Sequence, residues 1–334
     1  MRPDAAERRP PLPTEDAPEA VAAPAAPGWR SYVRIARIDH WVKNIFMLPG
    51  TALALLFVRA PSADVLWHTS LALVSLCLAA SANYTINEFL DGDFDRFHPV
   101  KKDRPAALGL LDVRIVALQY VVLSALALSI AAMIGPRFAA ASVALLMMGI
   151  AYNARPVRTK DWQYLDVLSE AINNPLRLLL GWFALVDDAL PPSSILLSYW
   201  MGGAFLMAVK RYTELRGIGN RAAAGLYRRS FIYYTEETLL LSAFFYAVCS
   251  SFFLGVFLIK YRIEFLLTFP LFSLMFTWYL AIGLKPNSAA QAPERLFTER
   301  RFLLFVGFVC LSVAALFWID LPILHILVEP ITVR

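Results

Sequence analysis

Four polar residues near the end of one apolar segment have the spacing of a metal site. Asn87, Asp91 and Asp95 stand four residues apart, and Glu88 lies three residues before Asp91. If the stretch is helical, these side chains (the acidic row) fall near one face, where like charges repel one another. A divalent cation would remove that repulsion, and Mg²⁺ prefers oxygen ligands of this kind. The spacing therefore favours a magnesium site with all four residues as ligands, and Asn87, Asp91 and Asp95 as its catalytic core.

The alternative is a solvated acidic helix end without a ligand. Acidic groups at the C-terminal end of a helix oppose the helix dipole and need compensation, which weighs against this alternative. We expect Gly92 and the acids after it to loosen the end of the helix.

Basic residues follow the acids directly in the stretch "HPVKKDRP", residues 98–105. Lys101, Lys102 and Arg104 could hold phosphate oxygens while a metal holds others, which is the arrangement that a diphosphate leaving group requires. Before substrate binds, we expect these cations to pair with the neighbouring carboxylates. His98 is interpreted as a loop residue.

The composition excludes a soluble protein. The chain has 334 residues, of which 58% are hydrophobic and 17% charged, and its mean hydropathy is +0.55. These values predict an all-α integral membrane protein. Nine segments approach the roughly 20 apolar residues that a crossing needs, and they are residues 44–59, 66–88, 112–134, 137–154, 164–186, 193–210, 238–259, 264–284 and 302–328. Residues 1–29, rich in Pro, Ala and charge, are predicted to be a disordered cytoplasmic tail before a nine-helix domain at 30–334.

Lysine and arginine are divided unevenly between the breaks in these segments. The N-terminal part up to Lys43 and the loops near residues 96–114, 155–160, 210–229 and 285–301 carry 25 of them, against five on the other side. The positive-inside rule then places the N-terminus and these loops in the cytoplasm. We expect the helices to surround a central polar cavity open to that side, in a bacterial inner membrane. The same charges would also suit anionic lipid head groups.

A polar stripe interrupts the segment 164–186. Glu170, Asn173, Asn174 and Arg177 share one helical face, and Pro175 is expected to kink the helix between them. Ionisable groups at membrane depth normally face a cavity or a partner. On this ground Arg177 either lies in a polar cavity or forms an internal ion pair with Glu170.

The motif N-E-x-x-D-x-x-x-D at residues 87–95 resembles the first aspartate-rich motif of the UbiA superfamily of intramembrane prenyltransferases. The string WVKN at residues 41–44, which contains Lys43, is similar to the family's first helix, and D-x-x-x-D-R-x-H-P-V-K-K-x-R-P is similar to the branch of decaprenyl-phosphate phosphoribosyltransferases. Glu88 departs from the family's usual aspartate. The resemblance also implies a substrate-binding role for Arg177 and Lys160, the latter in a loop that matches the family more loosely.

A second aspartate-rich motif, which ordinary members of the superfamily carry after the sixth helix, is replaced here by "KRYTELRGIGNRAAAGLYRRS". Glu214 is its one acid. Basic residues are suited to bind an anionic acceptor, whereas acidic residues would be suited to bind a second metal ion with its diphosphate. We therefore predict that Lys210, Arg211 and Glu214 serve substrate binding, although the positive-inside reading explains the later arginines of the loop equally well.

The resemblance implies a Mg²⁺-dependent transfer of 5-phosphoribose from phosphoribosyl diphosphate to a polyprenyl phosphate in the lipid bilayer, on the way to a lipid-linked D-arabinose donor. Two alternatives remain: a conventional prenyltransferase acting on an aromatic acceptor, and a non-enzymatic transporter or lipid-binding protein. No nucleic acid is expected as a partner, and the sequence leaves homo-oligomerisation open.

Overall fold

All regular structure in the described part of the chain is helical. The computed structural model describes residues 28–58, 64–98, 100–286, 288–291, 296 and 298–325, so nearly all of the predicted tail lies outside the described residues. The α-helices are α1 Trp29–Ile35, α2 Leu48–Val58, α3 Val65–Asp95, α4 Val113–Ile134, α5 Pro136–Asn153, α6 Leu165–Ala171, α7 Asn173–Phe183, α8 Ser193–Ile218, α9 Arg221–Tyr227, α10 Glu236–Tyr261, α11 Phe269–Leu284, α12 Arg300–Trp318 and α13 Pro322–His325. Short 3-10 segments cover Ile38–Met47, Lys101–Asp103, Thr159–Asp161, Arg229–Ile232, Ile263–Thr268 and Ala289–Gln291.

Five helical stretches within the described ranges are long and apolar enough to cross a membrane. They are Val65–Asp95, Val113–Ile134, Glu236–Tyr261, Ile263–Leu284 and Arg300–Trp318. The all-helical prediction is thus confirmed, whereas nine crossings and a cavity open to the cytoplasm are not established by these helices.

Helix α3 is longer than the sequence suggested. It runs without interruption for 31 residues to Asp95, so the prediction that Gly92 loosens its end is wrong. Gly92 instead lets the loop after the helix approach closely, because a Cβ there would meet the carbonyl group of Ala106 at 2.8 Å. The whole acidic row therefore stands on one continuous helix.

Several predicted segments have different boundaries in the structure. Residues 44–47 belong to a 3-10 segment that precedes α2, and α8 continues eight residues beyond its predicted end, to Ile218. The segment 164–186 consists of two helices that meet at Ile172, where a single kinked helix was predicted. Pro175 lies in the first turn of α7, where its missing N–H costs little, and this places the break just before it.

The helices bury two main apolar clusters. One cluster lies among α2, α3, α4, α5 and α7, and the other lies among α6, α8, α10, α11 and α12. Helices α3 and α4 pack along each other in the first group, and α8 and α10 do so in the second. The break between α6 and α7 is therefore the point where the chain passes from one cluster to the other.

The crossing of α2 and α7 depends on two glycines, which permit a stability test. A Cβ on Gly181 would overlap the carbonyl oxygen of Met47, and one on Gly50 would overlap that of Leu178. We expect Gly181→Val to destabilise the protein by about 1–3 kcal/mol, because the two backbones must separate. The thermal unfolding midpoint of the detergent-purified protein measures this. Gly307→Ala is the control because nothing lies within 4 Å of its Cβ position. Equal midpoints for both variants would contradict the close crossing.

Candidate active site

The end of α3 presents the acidic row to two groups of cations. Asp91 pairs through Oδ1 with Arg158 Nη2 at 2.9 Å and with Lys160 Nζ at 2.5 Å. Asp95 is 2% exposed and pairs through Oδ2 with Arg104 Nη1 at 2.7 Å. Each aspartate thus meets its cations through one carboxylate oxygen. The charge that α3 accumulates at its C-terminal end is compensated from loops on both sides of the helix.

The loop after α5 supplies the cations for Asp91. Arg158, whose backbone is left-handed with φ of 30°, also donates to the carbonyl oxygens of Asn153 at 3.0 Å and of Leu90 at 3.4 Å. Its guanidinium lies 4.7 Å from the ring centre of Phe94. The contact with Asn153 satisfies the carbonyl of the last residue of α5, which lacks a helical partner. Arg158 therefore fastens the two helix ends together beside Asp91.

Lys160 belongs to a buried polar chain that ends at the acidic row. It donates to Asn153 Oδ1 at 2.7 Å, and the same oxygen accepts a hydrogen bond from Asn87 Nδ2 at 2.5 Å. Burial lowers the pKa of Lys160 to about 8, against the attraction of Asp91. Asn87, Asp91 and Lys160, three of the predicted site residues, are thereby brought into one hydrogen-bonded group.

The basic stretch after α3 divides its cations. Arg104 makes the expected pair with an acid, whereas Lys101 contacts the hydroxyl of Tyr227 and lies 4.3 Å from that ring's centre. Burial lowers the pKa of Lys101 to about 8, and nearby Glu214 opposes the shift. Lys102 is exposed, and its side chain has no acidic partner within the described ranges. Two of the three predicted phosphate-binding cations therefore face the site.

His98 has a structural role in this loop. Its Nδ1 accepts hydrogen bonds from the backbone N–H groups of Val100 at 3.0 Å and Lys101 at 3.2 Å. Burial lowers the pKa of His98 to about 4, so the ring is neutral at pH 7. The histidine therefore orders the turn that carries Lys101, as a loop residue would.

A second buried cluster surrounds Arg211 on α8. The side chain of Arg211 is 1% exposed and pairs with Asp166 at 3.3 Å, Glu170 at 2.5 Å and Glu214 at 2.9 Å. Tyr152 donates its hydroxyl hydrogen to Glu170 Oε2 at 2.8 Å. We name these residues the Arg211 cluster. Because Glu170 pairs with Arg211, the alternative of an internal Glu170–Arg177 pair is wrong.

Arg228 and Tyr234 complete the surroundings of the Arg211 cluster. Arg228 donates to the hydroxyl of Tyr152 at 3.2 Å and lies 3.8 Å from Asp166, and its Nε has no hydrogen-bond partner among the described atoms. Tyr234 donates to Asp166 at 2.7 Å. Arg228 thus retains an N–H donor that no described atom accepts.

The remaining predicted residues lie at the edges of these groups. Lys210 is half-buried and lies in the electrostatic field of Glu170 and Glu214. Lys43 contacts His40 on its own 3-10 segment. Arg177 donates to Asn44 at 3.4 Å, and no ion pair joins it to a described carboxylate. The structure leaves the predicted roles of these residues untested.

Sequence reasoning missed several members of the site. The predicted site residues do not include Asp166, Arg158, Tyr227 or Arg228. Asp166 had a usable signal, because it stands four residues before Glu170 in an otherwise apolar segment. Tyr227 and Arg228 had none, because only the tertiary fold brings α9 back over the end of α3.

The acidic row has the donor chemistry that a hard divalent cation needs. All of its possible ligand atoms are oxygens, and the buried Glu88 Oε1 has no hydrogen-bond partner among the described residues. Asn87, Asp91 and Asp95, with Glu88, could hold Mg²⁺, although the described part of the chain contains no ready-made group of three His, Cys, Asp or Glu side chains around a metal position. Loading such a site would require Lys160 or Arg104 to give up a carboxylate.

The described fold and site correspond to a known class of membrane transferase. Residues 47–306 match the UbiA prenyltransferase family, and the chain belongs to that family. It is therefore a multi-pass integral membrane protein. A UbiA homolog from Archaeoglobus fulgidus bound to GPP and Mg²⁺ has a similar fold, with a TM-score of 0.65 and 24% identity over 86% of this chain and 100% of that one.

Two characterised relatives are more informative about the branch of the family. The chain is 32% identical to the decaprenyl-phosphate phosphoribosyltransferase of Mycobacterium tuberculosis over 223 residues, which are 66% of this chain and 71% of the relative. It is 31% identical to the nodulation protein NoeC of Azorhizobium caulinodans over 206 residues, which are 60% of this chain and 62% of that protein. The predicted family resemblance is confirmed.

The Arg211 cluster permits a test of how far the site is also structural. Asp166 is fully buried, and Asp166→Asn would leave Arg211 and Arg228 without one of their counter-charges. Breaking a buried ion pair from one side costs about 3–5 kcal/mol. We therefore expect a large fall in the thermal unfolding midpoint. The exposed Asp93, whose only recorded partner in the described ranges is Arg96 at 3.5 Å, provides the control Asp93→Asn, with an effect below about 1 kcal/mol. Similar midpoints for both variants would contradict the assignment.

Proposed function

We propose that the protein transfers 5-phosphoribose from phosphoribosyl diphosphate to a polyprenyl phosphate. An oxygen of the lipid phosphate forms a bond to the anomeric carbon of the donor, and the bond from that carbon to diphosphate breaks with the electron pair leaving on diphosphate. The acceptor oxygen is already anionic, so no general base has to remove a proton. Positioning and stabilisation of the leaving group's charge then provide most of the catalysis.

The main support for this proposal is the positive charge of residues 210–229, which lie on the other side of the site from the acidic row. Glu214, the one acid of residues 210–229, already pairs with Arg211. A second acidic pair for a second metal-bound diphosphate is thus lacking in this loop. Lys210 and Arg228 lie there instead, and Lys101, from the loop after α3, contacts Tyr227 of the same stretch. These cations suit phosphate monoesters. The similarity to the decaprenyl-phosphate phosphoribosyltransferases of Mycobacterium tuberculosis and Mycolicibacterium smegmatis supports the same substrate class.

Roles follow for the residues around the donor. When bound to the acidic row, Mg²⁺ would neutralise charge on the leaving diphosphate. Arg104 and Lys160 exchange their aspartate partners for phosphate oxygens, and Lys101 turns from Tyr227 to do the same. Lys210 and Arg228 face the remaining phosphate of the donor. Arg211 holds the carboxylates of its cluster in place, so its contribution to substrate binding is indirect.

The same proposal includes the arrangement in the membrane. Nine crossings around a central polar cavity would place the N-terminus and the loops of the site in the cytoplasm of a bacterial inner membrane, as the distribution of lysine and arginine predicts. The donor would then be drawn from the cytoplasm and the acceptor from the bilayer. The product would begin a lipid-linked D-arabinose donor, for a cell-envelope arabinan or an arabinosylated nodulation signal.

The rival function is a conventional prenyltransferase. In that reaction the diphosphate belongs to the lipid, and the acceptor is an aromatic compound. Such an enzyme needs an apolar acceptor pocket close to the acidic row, whereas the side chains found around Asp91 are Arg158, Lys160 and Asn153. The other alternative, a transporter or lipid-binding protein without enzymatic activity, does not explain the spacing of the acidic row.

Membranes containing the protein test the proposal directly when incubated with labelled phosphoribosyl diphosphate, polyprenyl phosphate and Mg²⁺. We expect a labelled lipid and free diphosphate, with loss of both when Mg²⁺ is chelated. In Asp91→Asn, activity should fall at least about tenfold, a barrier increase of ~1.4 kcal/mol or more. Membrane insertion should be retained, because this end of α3 lies beside loops. Transfer of a prenyl group to an aromatic acid, with phosphoribosyl diphosphate ignored, would establish the rival.

The basic stretch yields a separate kinetic prediction. A charge-assisted hydrogen bond contributes about 1.5–3 kcal/mol, so Lys101→Ala or Arg104→Ala should reduce kcat/KM for the donor roughly ten- to a hundredfold. Lys102→Ala should have a smaller effect because the side chain is exposed. Donor titrations at saturating Mg²⁺ measure these values, with the exposed Arg114→Ala as control. Unchanged kinetics for both Lys101→Ala and Arg104→Ala would contradict phosphate binding, and the basic residues would then serve only to orient the protein in the membrane.

A further inference from the structure

A groove of about 1250 Å³ opens between two loops beside the candidate active site. One wall is formed by residues 155–165, and the other by residues 229–233. The walls are joined by a hydrogen bond from Gln163 Nε2 to the carbonyl oxygen of Tyr233 at 3.3 Å. The proposed reaction gives no role to the residues that line the groove; Lys160, to which it does give one, belongs to the first loop but does not line the groove.

The floor of the groove is apolar although it faces outward. Val157, Trp162, Ile232 and Tyr233 line it, and each is more than half exposed. Aromatic residues with one polar edge are typical of the boundary between lipid and water. In a membrane protein, such a surface suits a hydrocarbon chain that ends in a polar head.

Two arginines of the groove carry uncompensated charge. Arg155 and Arg229 are both exposed, and neither side chain has a hydrogen bond or ion pair with a described residue. Asp161, the acid among the lining residues, is already paired with Arg158 at 3.2 Å. The groove therefore offers about two positive charges above an apolar floor, which matches a phosphate monoester attached to a hydrocarbon.

The inner wall connects the groove to the acidic row. Arg158 lines the groove and at the same time donates to Asp91 Oδ1 at 2.9 Å. A phosphate held against this wall would lie one side chain away from the carboxylate that is proposed to hold the donor's metal. The distance that an acceptor must move from the groove to the reacting carbon is thus short.

We propose that this groove is the docking subsite for the acceptor lipid, with its phosphate between Arg155 and Arg229 and its first prenyl units along the apolar floor. This inference rests on the proposed function for the identity of the lipid. A monoester is favoured over a phospholipid because its phosphate carries up to two negative charges, which match two arginines, whereas a phosphodiester carries one.

Photocrosslinking tests binding without turnover. The variant Trp162→p-benzoylphenylalanine places a photoreactive group in the floor of the groove, and the probe is a radiolabelled polyprenyl phosphate in nanodiscs of phosphatidylcholine. We expect light-dependent labelling that excess polyprenyl phosphate abolishes and an equal amount of phosphatidylglycerol leaves unchanged. Labelling abolished equally by phosphatidylglycerol would identify the groove as a general anionic-lipid surface and overturn the proposal, as would the absence of labelling.

Kinetics provide the second arm. In the double variant Arg155→Gln with Arg229→Gln, KM for polyprenyl phosphate should rise at least about tenfold, with KM for the donor and the Mg²⁺ requirement unchanged. Arg114→Gln, an exposed arginine outside the groove, should behave as the wild type. An unchanged acceptor KM in the double variant would overturn the subsite. Failure of the proposed function is distinguishable from this, because wild-type membranes would then lack phosphoribosyl transfer while the crosslinking arm still reports binding.

Discussion

The geometry of the site depends on one buried guanidinium. Arg211 is withdrawn from water, and the loss of hydration has to be offset by three carboxylates on α6 and α8. Ion pairs of this kind tolerate little displacement, since an uncompensated buried charge is far costlier than a lost surface pair. The cluster therefore fixes the orientation of α6 against α8, and through Tyr152 it also fixes the end of α5. The loop that carries Lys160 begins at this point, so the position of Asp91's partners follows from the same constraint.

A second constraint arises from the helix that carries the acidic row. A 31-residue helix ends in carboxylates at its negative end, an arrangement that the helix dipole disfavours. Cations from the loops after α3 and α5 compensate it, because Arg104 pairs with Asp95 and Lys160 pairs with Asp91. In the proposed reaction these cations keep a negative partner throughout, with carboxylates before the donor binds and phosphates afterwards. The exchange then costs less than bringing isolated cations out of water.

Local pattern was enough to find the acidic row but not to find its neighbours. The spacing of Asn87, Asp91 and Asp95, the cations that follow, and the helical class of the fold could all be read from the sequence, because each is a property of consecutive residues. The partners of Arg211 on α6 could not, because Asp166 and Glu170 lie more than 40 residues away along the chain. The break at Ile172 was missed for a related reason: Pro175 shows that a helix is interrupted nearby, but tertiary packing decides on which side.

The division of the fold into two apolar clusters gives the site its chemical asymmetry. Helix α3 belongs to the first cluster and brings the acids, whereas α8 and the chain after it belong to the second and bring Lys210, Arg211 and Arg228. Tyr227 lies between the two sets, since its ring and hydroxyl meet Lys101 from the loop that follows α3. In the proposed function, the acids of the first side would hold the donor's metal, and the cations of the second side would receive phosphate oxygens. Arg211 is the exception, because its charge is already used to hold α6 against α8.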